Sequence, residues 1–279
     1  SRSGARWRSG SSSLCRQGLM NETLKTNKRL KVLLLVGILV IVAGGIIAYR
    51  MQQNSQFMMR LEMSPGDLTR SDVPRLIRVL EDTSEGNWEM QPRAARAIGK
   101  MGPDAVAAVP ALIGKLDYFG DSSIVCGALA SIGVDSVPAI VQELRLEPNF
   151  RHARVLGTIG PAAAEAVPLL CEKVKSTNYS MRREASWALG QIHANPTRAV
   201  PAIMSVLNDP EKSVRQRAVL ALSHFDASEQ IVAALAKVKV DETESVRTNA
   251  KAVLFLISDE AADENIRRAA LEAVAEFPE

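Results

Sequence analysis

The chain has 279 residues, 47% of them hydrophobic but only 4% aromatic, so Ala, Leu, Ile and Val must supply the core volume, which suits closely packed helix pairs better than a β-sandwich. The net charge of +3 is unevenly spread: eight of the 34 Lys and Arg but only one of the 31 Asp and Glu fall within the first 31 residues, leaving 26 basic against 30 acidic side chains beyond them. A mildly acidic body of this kind excludes a duplex-binding surface, and no nucleic-acid partner is expected.

Residues 1–31 form a basic segment rich in Ser, Gly and Arg near its start, with little to bury, and are expected to be disordered. Met20 offers a cleaner start than Ser1, so residues 1–19 read as an upstream extension. Cys15 has no hydrophobic signal region before it and is no lipoprotein cysteine.

Residues 32–49 follow as VLLLVGILVIVAGGIIAY, without one charge between Lys31 and Arg50. At ~1.5 Å per residue these 18 residues span about 27 Å as a helix, close to the hydrocarbon thickness of a bilayer. The run is longer than a cleaved signal's apolar region and ends at Ala48-Tyr49-Arg50, a poor cleavage site, so it predicts an uncleaved single-pass anchor in the lipid bilayer. Lys25, Lys28, Arg29 and Lys31 precede it while only Arg50 and Arg60 follow closely. That asymmetry keeps the amino terminus in the cytoplasm and exports the body, to the periplasm if the source is bacterial. Residues 50–70 read as a juxtamembrane linker.

From residue 71 to 279 the chain repeats itself. Val-Pro opens a short apolar run at Val73-Pro74, Val109-Pro110, Val137-Pro138, Val167-Pro168 and Val200-Pro201, the prolines separated by 36, 28, 30 and 33 residues. Before the last four stands an apolar-small-x-apolar tail: Ile98-Gly99-Lys100-Met101, Leu129-Ala130-Ser131-Ile132, Leu156-Gly157-Thr158-Ile159 and Leu189-Gly190-Gln191-Ile192. Leu222-Ser223-His224-Phe225 and Leu254-Phe255-Leu256-Ile257 continue the series. Each unit is thus two helices, with small residues where backbones approach. Gly102, Gly133 and Gly160 are expected just past the first helix and proline in the first turn of the second. Ser180, Ser213 and Ser245 are the expected N-caps of first helices, the last two within near copies running from Asp209 to Arg215 and from Asp241 to Arg247. Residues 71–82 and 260–277 are expected to cap the stack, the latter with Ile266, Ala270, Val274 and Phe277 on one face.

The D-x-x-x-S-V-R entry, the A-x-x-x-L-G-x-I-G first helix and the A-V-P-A-L/I second helix resemble the short HEAT-like repeats of phycobilisome lyases and of many bacterial scaffold proteins. The resemblance covers residue 71 to the carboxy terminus and implies an all-α fold, a right-handed α-solenoid of stacked helix pairs following one transmembrane helix. It also implies that the second helices line a concave face, whose outward residues include Arg75, Arg78, Lys115, Gln142, Glu143, Glu172, Lys173 and Lys237. A protein or peptide partner is expected there.

Catalytic constellations are sparse. His152, His193 and His224 occupy different columns of the repeat and are expected at surfaces or helix ends rather than as ligands. No His-Glu dipeptide occurs, whereas HEAT-type metal hydroxylases rely on such pairs for iron. Cys126 and Cys171 are expected to pack as small apolar side chains; a bridge between them would need Cα atoms within about 7 Å. Trp7, Trp88 and Trp187 form no column, and phosphate-binding glycine motifs and G-x-S-x-G are absent. No metal, cofactor or catalytic residue is therefore expected. The leading expectation is a non-catalytic membrane-anchored scaffold; a chromophore lyase on the same solenoid and a purely structural envelope protein are the alternatives.

Overall fold

A computed structural model describes residues 39, 42–46, 52, 55–62, 65–82, 89–117 and 123–277. Contacts divide the chain into two units, Ser1–Arg60 and Leu61–Glu279. The expected basic segment, Cys15, Trp7, Trp88 and most of the expected membrane span lie outside the described residues. Of that span, Leu39 and residues 42–46 are helical, with Leu39, Val42 and Ile46 exposed at 66, 52 and 50%.

The second unit contains only helices and turns among its described residues. Its first α-helix, α1 (Val73–Glu81), is followed by six helix pairs: α2 (Met90–Met101) with α3 (Val109–Ile113), α4 (Ser123–Ile132) with α5 (Val137–Leu146), α6 (Phe150–Ile159) with α7 (Val167–Lys173), α8 (Tyr179–Ile192) with α9 (Pro196–Met204), α10 (Lys212–Leu222) with α11 (Glu229–Ala236), and α12 (Glu244–Glu260) with α13 (Glu264–Ala275). The first helices α2, α4, α6, α8, α10 and α12 each pack on the next in chain order, and second helices contact their own and adjacent pairs. No pair can bury its apolar stripe alone; stacking does it. Thus Ile98, Leu129, Leu156, Leu189, Leu222 and Leu254 from the first helices are fully buried, as are Leu112, Ile140, Leu170, Ile203 and Leu235 from the second.

Three pairs change direction at a glycine. Gly102, Gly133 and Gly160 have φ of 57, 81 and 73°, where a Cβ would be strained, and each opens a short 3₁₀ segment leading to the second helix. The helical stretches Ser123–Leu146 and Phe150–Lys173 are long and apolar enough to cross a membrane by length and composition, but each bends at such a glycine and buries 44 or 50% of its most apolar window. Pro74, Pro110, Pro138 and Pro168 sit in the first turn of their helices, as expected.

Two local expectations fail. Pro201 lies inside α9 rather than in its first turn, because the helix already begins at Pro196, behind His193 and Asn195 in left-handed conformations (φ 37 and 52°). Nor do Ser180, Ser213 and Ser245 cap their helices. Those helices begin earlier in the sequence, after Asn178, Glu211 and Thr243; the Asn178 side chain accepts from the N–H groups of Ser180 and Met181.

His152, expected at a surface or a helix end, lies at a helix start but is not at the surface. It is 5% exposed, near the start of α6, and its Nδ1 has no hydrogen-bond partner. Burial lowers its pKa from 6.5 against the opposing pull of Glu143, Asp117 and Glu147. Because the folded state holds the ring neutral, its stability is complete above pH 6.5 and declines as pH falls below it, where the unfolded chain takes up a proton more readily. His224 adds to the same trend, being lowered by burial and by the neighbouring His193. Thermal melts of His152→Leu from pH 7.5 to 5 should therefore show a smaller acid-side loss than the parent; an unchanged pH slope would assign the loss elsewhere.

Candidate functional site

Two faces carry polar chemistry, and they do different work. On the first-helix side, arginines join successive repeats. Arg182 in α8 forms a bidentate pair with Asp209 ahead of α10 (Nε to Oδ2 2.6 Å, Nη2 to Oδ1 2.8 Å), and Arg215 in α10 does the same with Asp241 ahead of α12 (2.6 and 3.0 Å). The remaining donors are also satisfied. Arg215 Nη1 reaches the carbonyls of Asp209 and Pro210, while Nη2 also reaches Thr243 Oγ1. Asp209 and Asp241 in turn accept from the N–H groups of Glu211 and Thr243, fixing the chain entry to the next helix. One repeat earlier, Arg154 and Arg183 converge on Glu184, whose side chain is 2% exposed.

These pairs explain the D-x-x-x-S-V-R entry. Its acid and arginine are hydrogen-bond partners of neighbouring copies rather than candidates for a ligand. Burial pushes the carboxyls of Asp209 and Asp241 up, but the arginine hydrogen bonds and the backbone N–H groups outweigh it and hold both below the usual carboxylate range.

The second-helix side holds the expected binding residues. Arg75 and Arg78 lie on α1, Lys115 in the turn after α3, Gln142 and Glu143 on α5, Glu172 and Lys173 on α7, and Lys237 just after α11. Arg78, Gln142, Glu172 and Lys237 are exposed, and the other four half-buried. They are strung along successive repeats with both signs of charge interleaved. A cleft between α7 and α9 brings Glu172 beside Cys171, Lys175 and Arg198. Sequence reasoning missed Arg198, because the Val200-Pro201 signature hides the true start of α9 four residues before that valine. Cys171 Sγ contacts the Arg198 carbonyl oxygen at 3.7 Å, and burial raises its thiol pKa despite the nearby Arg198 charge. Cys126 is buried and Cys171 half-buried, and no disulfide joins the two. No cluster of three or more His, Cys, Asp or Glu with metal-holding geometry occurs among the described residues.

Trp187, on α8, lies across Gly157 of the preceding repeat with the Arg217 guanidinium 5.9 Å from its ring centroid. It is a packing residue between repeats.

A family model described as HEAT repeats matches residues 167–254. Similar solved structures include an engineered protein from the Northeast Structural Genomics Consortium, at a TM-score of 0.36 and 22% identity over 73% of this chain and 95% of that one. The complex of CpcE and CpcF of phycocyanin lyase from Nostoc sp. PCC7120 aligns at a TM-score of 0.39 and 22% identity, covering 60% of this chain and 98% of that one. No curated protein matches the chain. The matched segment includes both arginine–aspartate links, Arg182–Asp209 and Arg215–Asp241, and is what in this chain is similar to HEAT repeats.

Proposed function

We propose that this chain is a membrane-anchored, non-catalytic scaffold that holds a protein or peptide on a concave face lined by its second helices. The observation that carries the reading is the succession of second helices in repeat register, with α5, α7, α9 and α11 presenting exposed polar side chains such as Gln142, Glu172, Arg198 and Glu229 while their Ile140, Leu170, Ile203 and Leu235 are buried in the stack. Stacked helix pairs give extended surfaces suited to a long partner. Interleaved Arg78, Glu143, Glu172 and Lys173 favour a partner bearing both charge signs.

The anchor rests on the uncharged run at residues 32–49 and the cations before it. Its described residues are helical and expose apolar side chains, as a lipid-facing helix does. The body would then act on the exported side of the membrane.

A topology reporter fused after Glu279 should be active only outside the cytoplasm; cytoplasmic activity would overturn the orientation. In-cell cross-linking with mass spectrometry should lose its main partner when Lys115, Glu143 and Lys173 are charge-reversed together. An unchanged partner set would remove the second-helix face from the proposal, and bound pigment or transfer activity in the purified full chain would replace the scaffold with a lyase.

A further inference from the structure

Two residues before its buried leucine or isoleucine, every first helix carries a side chain except α4: the column reads Arg96, Gly127, Arg154, Trp187, Leu220 and Ala252. The α8 copy shows what a large side chain does there. The Trp187 ring lies across Gly157 of the preceding repeat, 2.6 Å from where a Cβ on that glycine would stand, with the Arg217 guanidinium 5.9 Å from the ring centroid. In α4 the residue in Trp187's place is Gly127, and the one in Gly157's place is Gly99 of α2. A Cβ on Gly127 would meet nothing within 4 Å, and Gly99 is half-buried where Gly157 is buried.

The slot that Trp187 closes between α6 and α8 is therefore open between α2 and α4. It forms a groove of about 470 Å³ with Arg96, Gly99 and Lys100 on one wall and Ile124, Gly127 and Ser131 on the other. Its charge is one-sided, because α2 and α4 together carry Arg93, Arg96 and Lys100 but no Asp or Glu. Every other arginine of the first helices α2 to α10 is paired, with a carboxylate, as Arg93 is with Glu62 and Arg151 with Asp117, or, for Arg217, with the Trp187 ring. Arg96 and Lys100, exposed and one turn apart, have no partner among the described residues.

We propose that this groove holds an acidic segment of a partner protein, with an aromatic side chain of that segment set into the slot over Gly99 and Gly127. The ring takes the place that Trp187 fills from within the chain two repeats on, and Arg96 lies against it as Arg217 lies against Trp187. A carboxylate beside the aromatic residue meets Lys100. Charge complementarity selects the acidic partner, since the groove offers cations and no acid. Its shape selects a single chain, because a slot between two adjacent helices admits one side chain and not a lipid surface. The groove lies on the first-helix side, so it needs neither the membrane anchor nor the second-helix face and is tested apart from them.

The probe is a fluorescein-labelled pentapeptide, Asp-Asp-Trp-Asp-Asp, titrated at low salt with the full chain in detergent and followed by fluorescence anisotropy. Saturable binding is expected, and exchanging the probe's tryptophan for alanine should weaken it by roughly tenfold, as loss of an aromatic anchor does. Gly127→Trp fills the slot from within and should weaken binding to a similar degree with both cations still in place, which a merely electrostatic attraction would not do. Arg96→Gln alters only an exposed side chain, keeps the fold, and should also weaken binding, so the outcome is readable even from a Gly127→Trp chain that fails to fold. Absence of saturable binding, an alanine probe held as tightly as the tryptophan one, or an Arg96→Gln or folded Gly127→Trp chain that binds like the parent would overturn the proposal.

Discussion

Arg215→Ala should destabilise the repeat domain by about 3 kcal/mol, read as a shift of the urea midpoint, because it leaves a buried carboxylate without its cation. The two side chains are only 6 and 9% exposed. The loss extends beyond one pair: the carbonyls of Asp209 and Pro210 lose their donor at the same time. Adding Asp241→Asn to the Arg215→Ala chain should cost much less than Asp241→Asn alone, since the charge it removes is already unpaired. Additive effects would mean that the pair is not a unit.

The pH dependence has a definite sign. In the parent, Asp241 is held below its ordinary value of 3.8, so its contribution is complete above that pH and is lost as pH falls through it. In Arg215→Ala, burial is left unopposed by the arginine, and protonation then relieves the variant rather than harming it. The difference in stability between the two should consequently narrow as pH drops through 3.8. A gap that stayed constant would place the effect in packing alone.

Gly190→Ala and Gly127→Ala should move stability in opposite directions. Both glycines lie inside first helices, where alanine is intrinsically favoured by about 1 kcal/mol. At Gly127 a Cβ meets nothing within 4 Å, so that gain is realised. At Gly190 the same atom would sit 2.7 Å from Ala221 Cα and 2.8 Å from its Cβ, and α8 and α10 must move apart. Overpacking of this kind costs about 1–3 kcal/mol, which outweighs the propensity gain. Denaturant midpoints that rose in both variants would show that α8 and α10 are not in backbone contact at Gly190.

Much of this was legible in the sequence because the signal is repeated. One Leu-Gly-x-Ile says little, but a series of six related tails, two of them Leu-Gly-x-Ile, at intervals near thirty residues specifies which side of each helix is buried, and Leu129 through Leu254 are found there. The glycine turns at 102, 133 and 160 were legible for the same reason. What escaped were interactions between copies. Nothing local to Asp241 announces that its partner is Arg215 across 26 residues, and nothing near Gly157 foretells Trp187 lying over it. His152 was expected at a surface or helix end; it does lie near a helix start, but its burial to 5% exposure depends on packing between elements that the residues around it do not announce. Of the residues expected on second helices, Gln142, Glu143, Glu172 and Lys173 lie within such helices, Lys115 and Lys237 follow the ends of theirs, and Arg75 and Arg78 lie on α1 ahead of the pairs; Arg198 was lost where Asn195-Pro196 starts α9 early.

Helices in this body touch chiefly their sequence neighbours, the first helices meeting about thirty residues on and the second helices within the same reach. Chain closure on that short scale is entropically cheap, so structure can start at any well-packed pair and spread outward like a zip. A chain still being synthesised would therefore begin ordering long before its final residues appear.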